Sequence, residues 1–225
     1  GDPLDMIASG PAYPDFSTCA QAEAAAEKYG LRLTPEARLL LREETPKKLD
    51  NVRTEITGSV RELCAAAAEQ CRELGYEPVL LTDRLCCEAR EAGSFLASIL
   101  RTHAEEGRRL AFIAGGETVV HLTGRGLGGR NQELALAASP GISGISHGAL
   151  FSVGSDGTDG PTDAAGGYVD GDTLSALEEK GLEVYKVLAD NDAYHALQAV
   201  DGLIFTGPTG TNVNDLSAAL FWPPD

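Results

Sequence analysis

The chain has 225 residues, 43% of them hydrophobic and 23% charged, which is ordinary for a globular fold with a substantial core. A formal charge of −16, from 34 acidic against 18 basic side chains, argues against a nucleic-acid partner, and no apolar run approaches the length of a membrane span. The five cysteines are odd in number and lack zinc-ligand spacing, so they read as free thiols of a reducing, cytoplasmic compartment.

In chain order, "GDPLDMIASGPAYPD" (1–15) reads as the middle of a loop, and its start without methionine suggests a truncated piece of a longer chain. Residues 17–30 read as a helix capped by Ser17 or Thr18 and stopped at Gly30, and a second helix follows with Thr34 as cap and Pro35 in its first turn. The polar "TPKKLDNVR" then marks a junction, which gives residues 1–49 as one part and 50–225 as another. From there strands and helices alternate. "VRTEIT" is expected as a strand, and 59–75 as a helix whose Val60, Leu63, Cys64, Ala67, Cys71 and Leu74 form one apolar stripe. "EPVLLT" is expected as a buried strand and 86–107 as a long helix, with one of Cys86 and Cys87 buried at its start. "RLAFIAGG" is a further buried strand, and "ETVVHLTG" the second arm of a hairpin. A helix at 129–139, a strand at 148–155, helical segments over 172–199, a strand at 202–207 and a final apolar run at 216–222 complete the series.

This alternation predicts an α/β fold: a layered, Rossmann-like sheet, mostly parallel but mixed, with helices on both faces. Ligands of such sheets sit beyond the carboxyl ends of the strands, where "AGGE", "GRGLGGRNQE", "GSDGTDGPTD" and "TGPTGTNVND" all fall. Gly115 and Gly116 end a strand and directly precede Glu117, a carboxylate aimed at that rim. Gly124, Gly126 and Gly129 match the dinucleotide fingerprint, but no acidic residue follows at ribose distance. The plainer reading of Gly128, Gly129 and Arg130 is a helix N-terminus offering free N–H groups, and a guanidinium, to a phosphate. Asp156 and Asp159 fail the EF-hand spacing but could supply the one or two carboxylates that magnesium needs beside phosphates. Gly207 and Gly210 permit close backbone approach, while Thr209, Thr211 and Asn212 carry short polar groups suited to phosphate or sugar hydroxyls. A loose surface acid or a well-bonded turn explains each loop alone equally well.

Taken together, "IAGGETVVHLTGRGLGGRNQELALAAS", "SVGSDGTDGPTDAAGGYVD", "NDAYHAL" and "TGPTGTNVNDL" resemble the MOFRL region, about 109–216, of the bacterial-type glycerate kinases, also called hydroxypyruvate reductase-like proteins. The resemblance implies ATP- and Mg2+-dependent phosphorylation of D-glycerate in a cleft between two α/β domains. It also implies that 1–49 is the residue of a first domain, whose glycine-rich loop and lysine this chain lacks, so that the chain alone would be inactive. Carried over by motif, Arg130, Asp156 and Glu117 would be catalytic, with Asp156 and Asp159 toward a metal. Gly115, Gly116, Gly128, Gly129, Asn131, Thr158, Gly207, Thr209, Gly210, Thr211 and Asn212 would bind substrate or nucleotide. The expected partners are D-glycerate and a nucleotide, with no membrane or nucleic acid, and a homodimer is left open. The alternatives are an NAD(P)-dependent hydroxypyruvate reductase and a non-catalytic nucleotide-binding module.

Overall fold

The computed structural model describes residues 4–5, 10 and 12–224, so most of the loop expected at the start lies outside the described residues. The chain divides into two compact units, one ending at Thr57 and the other beginning at Gly58.

In the smaller unit, α1 (Cys19–Lys28) starts at a capping box: Thr18 Oγ1 accepts from Gln21 N at 3.3 Å, and Gln21 Oε1 accepts from Thr18 N at 2.8 Å. α2 (Pro35–Leu40) starts at Thr34, whose hydroxyl accepts from Ala37 N at 3.2 Å. Neither helix buries a residue, so their ends are defined by capping rather than by packing. The strand expected at 52–57 does not form. Val52 and Ile56 alternate as a strand requires, but they stay 39% and 58% exposed, with no ladder to satisfy the backbone.

The larger unit runs α3 (Val60–Glu73), β1 (Glu77–Leu85), α4 (Ala89–His103), β2 (Leu110–Gly116), α5 (Arg130–Ile142), β3 (Gly148–Gly154), β4 (Gly166–Asp170), α6 (Thr173–Glu179), α7 (Val184–Ala189), α8 (Ala193–Ala199), β5 (Leu203–Ile204) and β6 (Asp215–Phe221). The strands form one sheet in the order β1-β2-β6-β3-β4-β5. It is mixed, as expected, but the balance is reversed: β1 and β2 are parallel and the other four pairings are antiparallel. Two of these four arise from β6, which inserts between β2 and β3 and runs against both. Its small, buried Ser217, Ala218 and Ala219 suit a strand covered on both faces.

Helices cover both faces, as expected. Val60, Cys64 and Ala68 of α3 pack on Ile113 and Leu216 on one side. On the other, Leu96 and Leu100 of α4 and Leu134 and Ala138 of α5 meet Phe112, Leu150, Ala219 and Phe221. The alternation of Phe112 and Ile113 along β2 is the two-residue period of a strand buried on both faces.

Four further expectations change. β1 is an edge strand rather than a buried one, and Leu80 is 50% exposed. Residues 117–124 make only an isolated bridge, Glu88 to Val119, because β2 is flanked by β1 and β6 and has no edge left for a hairpin arm. The 202–207 strand shrinks to Leu203–Ile204, and β4, with its two glycines, was not anticipated. Cys86 and Cys87 are both exposed and precede α4.

Candidate functional site

The register places Gly116 beside Asp215, and Asp215 beside Gly154. The segments that follow β2 and β3 and the one that precedes β6 therefore leave the sheet at one rim. α5 starts at the same place, because the Arg130 guanidinium grips Asp215 with two bonds, Nε to Oδ2 at 2.5 Å and Nη2 to Oδ1 at 3.0 Å. Asp215 is buried, and its bond, the largest influence on Arg130, pushes the guanidinium pKa up and keeps the charge. The remaining nitrogen, Nη1, lies 3.2 Å from Glu117, which is half exposed. One carboxylate thus fixes the orientation of Arg130, and a second, displaceable one occupies its outward edge. Asp215 was not singled out from sequence, although it closes the "NVND" run.

The phosphate cradle expected at the start of α5 is already filled by the chain itself. Asp159 Oδ2 accepts from Gln132 N at 2.8 Å, and Oδ1 accepts from Asn131 N at 3.1 Å and from Asn131 Nδ2 at 3.2 Å. Asp159 is only 3% exposed, and burial pushes its pKa up to about 6 against the pull of these donors. Its expected metal role therefore gives way to a helix cap supplied from a distant loop. Gly129 has no side chain because a Cβ there would collide with the Asp159 carboxyl group. Asn131 likewise turns inward: its Oδ1 accepts from Ser152 Oγ at 2.6 Å, and that hydroxyl lies 2.8 Å from Ser217 Oγ.

The glycine loop ahead of α5 is occupied in the same way. Asn191 Oδ1 accepts from Thr123 N at 2.8 Å and from Gly124 N at 2.9 Å. Asp190 Oδ1 accepts from Arg125 N at 3.0 Å, and Asp192 Oδ1 from Leu127 N at 2.9 Å. Backbone donors that a dinucleotide would need are committed to the "DND" of 190–192. The fingerprint is a binding site for the protein's own acidic loop.

The aspartate loop and the last glycine loop do meet. Asp156 Oδ2 accepts from Asn212 Nδ2 at 3.0 Å, and Oδ1 accepts from the Thr158 N–H and hydroxyl at 3.0 and 3.1 Å. Thr209 N donates to Asp156 O at 3.2 Å, and the Thr209 hydroxyl to Ser155 O at 2.5 Å. Gly207 lies against Gly157, while Gly210 and Thr211 are exposed on the loop. Gly115 serves packing rather than a ligand, since a Cβ there would strike Val60 and Cys64 of α3, and Gly116 lies against the backbone of Leu85.

A cavity of about 600 Å³ opens beside Arg130. It is walled by Glu117, Thr118, Val119, Val120 and Leu122, together with Gly128, Pro161 and Ala193 among others. Among the described residues no group of three or more His, Cys, Asp or Glu side chains could hold a metal ion. Any metal ion at this rim would take most of its ligands from outside this chain.

The chain is similar to known proteins over nearly its whole length. The MOFRL family profile matches residues 110–215, and a domain of unknown function (DUF4147) matches residues 1–42. The D-glycerate 2-kinase of Thermotoga maritima is 50% identical over 224 residues, covering 98% of this chain and 54% of that protein. A crystal structure of glycerate kinase from Thermotoga maritima superposes with a TM-score of 0.86 at 49% identity, over 99% of this chain and 55% of that one. The chain thus spans about half the length of these relatives. The glycerate kinase of Macaca fascicularis is 31% identical over 269 residues, which cover 96% of this chain and 68% of that protein. No helix among the described residues is long and apolar enough to cross a membrane. On the four loops, the fold and these matches, the chain belongs to the glycerate kinase family.

Proposed function

We propose that this chain carries one wall of a glycerate kinase site that transfers the terminal phosphoryl group of ATP to D-glycerate. The observation that carries the reading is the joint emergence of Glu117, Arg130 and the Asp156 and Asn212 loops at one rim of the sheet, in a chain half identical to a D-glycerate 2-kinase. Phosphoryl transfer needs positioned charge more than covalent chemistry. Asp215 holds two nitrogens of Arg130 and leaves Nη1 directed at Glu117, so an incoming phosphoryl oxygen exchanges with Glu117 for that edge. Magnesium would be held by the nucleotide phosphates with Asp156 and Glu117, and would offset phosphate charge. Asn212 and Thr158 hold the Asp156 carboxylate in place, Thr209 ties the two loops together, and Gly128, Gly210 and Thr211 would offer backbone and hydroxyl donors to a ligand. The chain spans about half the length of the D-glycerate 2-kinase it matches, and a second wall supplied by further sequence is part of the proposal.

Incubation with D-glycerate and Mg-ATP tests the reading, using the 225-residue chain and the longest reading frame that contains it. Phosphoglycerate is expected from the longer protein, with little or none from the chain alone. Oxidation of NADH by hydroxypyruvate without phosphoglycerate formation would overturn it in favour of a reductase.

A further inference from the structure

Cys86 and Cys87 are adjacent in the chain and both exposed, between the end of β1 and the start of α4. The backbone on either side of them is laced to the segment that carries Glu117. Glu117 N donates to Leu85 O at 2.8 Å, Val119 N donates to Cys87 O at 3.0 Å, and Ala89 N donates to Val119 O at 2.9 Å. Gly116 lies so close to the Leu85 backbone that a Cβ there would strike it. The peptide joining the two cysteines therefore sits between two carbonyls, Leu85 O and Cys87 O, that hold Glu117 and Val119 in place, and Glu117 in turn lies 3.2 Å from Arg130 Nη1. Neighbouring Cα atoms are about 3.8 Å apart across a trans peptide, short of the roughly 4.4–6.8 Å that disulfides usually span. A bond between these two sulfurs closes only if the 86–87 peptide twists, and a bond so strained is easily reduced again. Desolvation of its sulfur, and then Cys86 and Glu91, push the Cys87 thiol up, so the first attack on an oxidant falls to Cys86.

We propose that Cys86 and Cys87 are a modification site at which a hydroperoxide closes a reversible vicinal disulfide, and that this ring loosens the hold on Glu117 and Val119. With hydrogen peroxide, the Cys86 thiolate attacks one oxygen and breaks the O–O bond, which leaves a sulfenic acid and, with a proton, water. Cys87 Sγ then forms the S–S bond and displaces the sulfenic hydroxyl as a second water. The two thiols give up two electrons and two protons, and the peroxide takes up both.

Trypsin, cutting after Arg84 and Arg90, releases both cysteines in one peptide, "LCCEAR", with no other thiol in it. After a slight excess of hydrogen peroxide on the folded 225-residue chain, this peptide should be lighter by two hydrogen atoms, and dithiothreitol should restore its mass. Hydrogen exchange followed by NMR at the Glu117 and Val119 amides should be about 5- to 30-fold faster in the oxidised chain, the effect of one or two weakened backbone bonds. Cys86→Ser and Cys87→Ser, treated alike, should show no such change. In the longer protein, oxidation should lower kcat reversibly in wild type and in neither variant. A "LCCEAR" peptide that keeps its mass, gains oxygen, or is joined to Cys19 or to a second copy overturns the site. A closed ring with unchanged exchange at Glu117 and Val119 overturns its effect on them. Both readouts on the chain hold whether or not phosphoryl transfer occurs, and only the loss of kcat rests on the kinase reading.

Discussion

The buried Asp159 carboxyl should make the protein's stability fall as pH rises through the range where most acidic groups have already ionised. In the folded chain its pKa is raised from the ordinary 3.8 to about 6, so between those values the folded state binds a proton that the unfolded chain has released. Stability from this group is therefore greatest below pH 4 and is lost by about pH 7. The full difference corresponds to about 3 kcal/mol at ~1.4 kcal/mol per pKa unit, and about 1.4 kcal/mol of it falls between pH 5 and 7.5. That upper window stays clear of the isoelectric point near 4.6. Asp159→Asn keeps an acceptor oxygen but turns an amide donor toward the N–H groups of Asn131 or Gln132, and should cost about 2–3 kcal/mol at pH 5. Urea unfolding of both proteins at pH 5 and 7.5 gives the comparison, and groups not coupled to Asp159, the raised Glu133 included, cancel in the difference. The wild-type advantage should shrink by about 1.4 kcal/mol across the window. A gap that widens with pH would mean that the three donors outweigh burial, and the reasoning fails.

Three other outcomes are expected. Arg130→Lys, which replaces a planar fork by a point charge that cannot span both oxygens of Asp215, should lower kcat of the longer protein about 100-fold or more in a coupled phosphoglycerate assay; an unchanged rate removes Arg130 from the site. Asn191→Ala removes the acceptor of two loop N–H groups and the donor to Glu133, at a position with φ of 55° that alanine tolerates poorly. It should destabilise the chain by about 3–4 kcal/mol and speed amide hydrogen exchange over 123–127. Gly115→Ala drives a methyl group into Cys64 and Val60 at a cost of about 1–3 kcal/mol, and a second change, Cys64→Ala, should recover part of it in thermal melts; additive losses would place the strain elsewhere.

What could be read from the sequence was whatever local chemistry determines. Thr18 and Thr34 cap their helices as expected because a hydroxyl three residues ahead of a free N–H acts without tertiary help. The strand at 110–116 was legible from its unbroken apolar run and its terminal glycines. Pairing was not, since nothing in "LSAALFW" states that it will run antiparallel between two earlier strands. The four loops were correctly suspected of sharing an edge, but the partners of their donors were misjudged. A helix start rich in glycine reads as an anion site whether the anion is a phosphate or the chain's own Asp159, and only the fold reveals that Asp159, 30 positions after Gly129, already occupies it. Asp215 carried no motif signal of its own, because its interest lies in the guanidinium it grips in three dimensions.

The central position of β6 bears on how the molecule is assembled as it is synthesised. Until residues 215–221 have left the ribosome, β1 and β2 share no ladder with β3, β4 and β5, so two half-sheets wait side by side with bare inner edges. The β1–β2 half is thus exposed to mispairing from the emergence of Gly116 until that of Asp215, and a single strand closes the sheet.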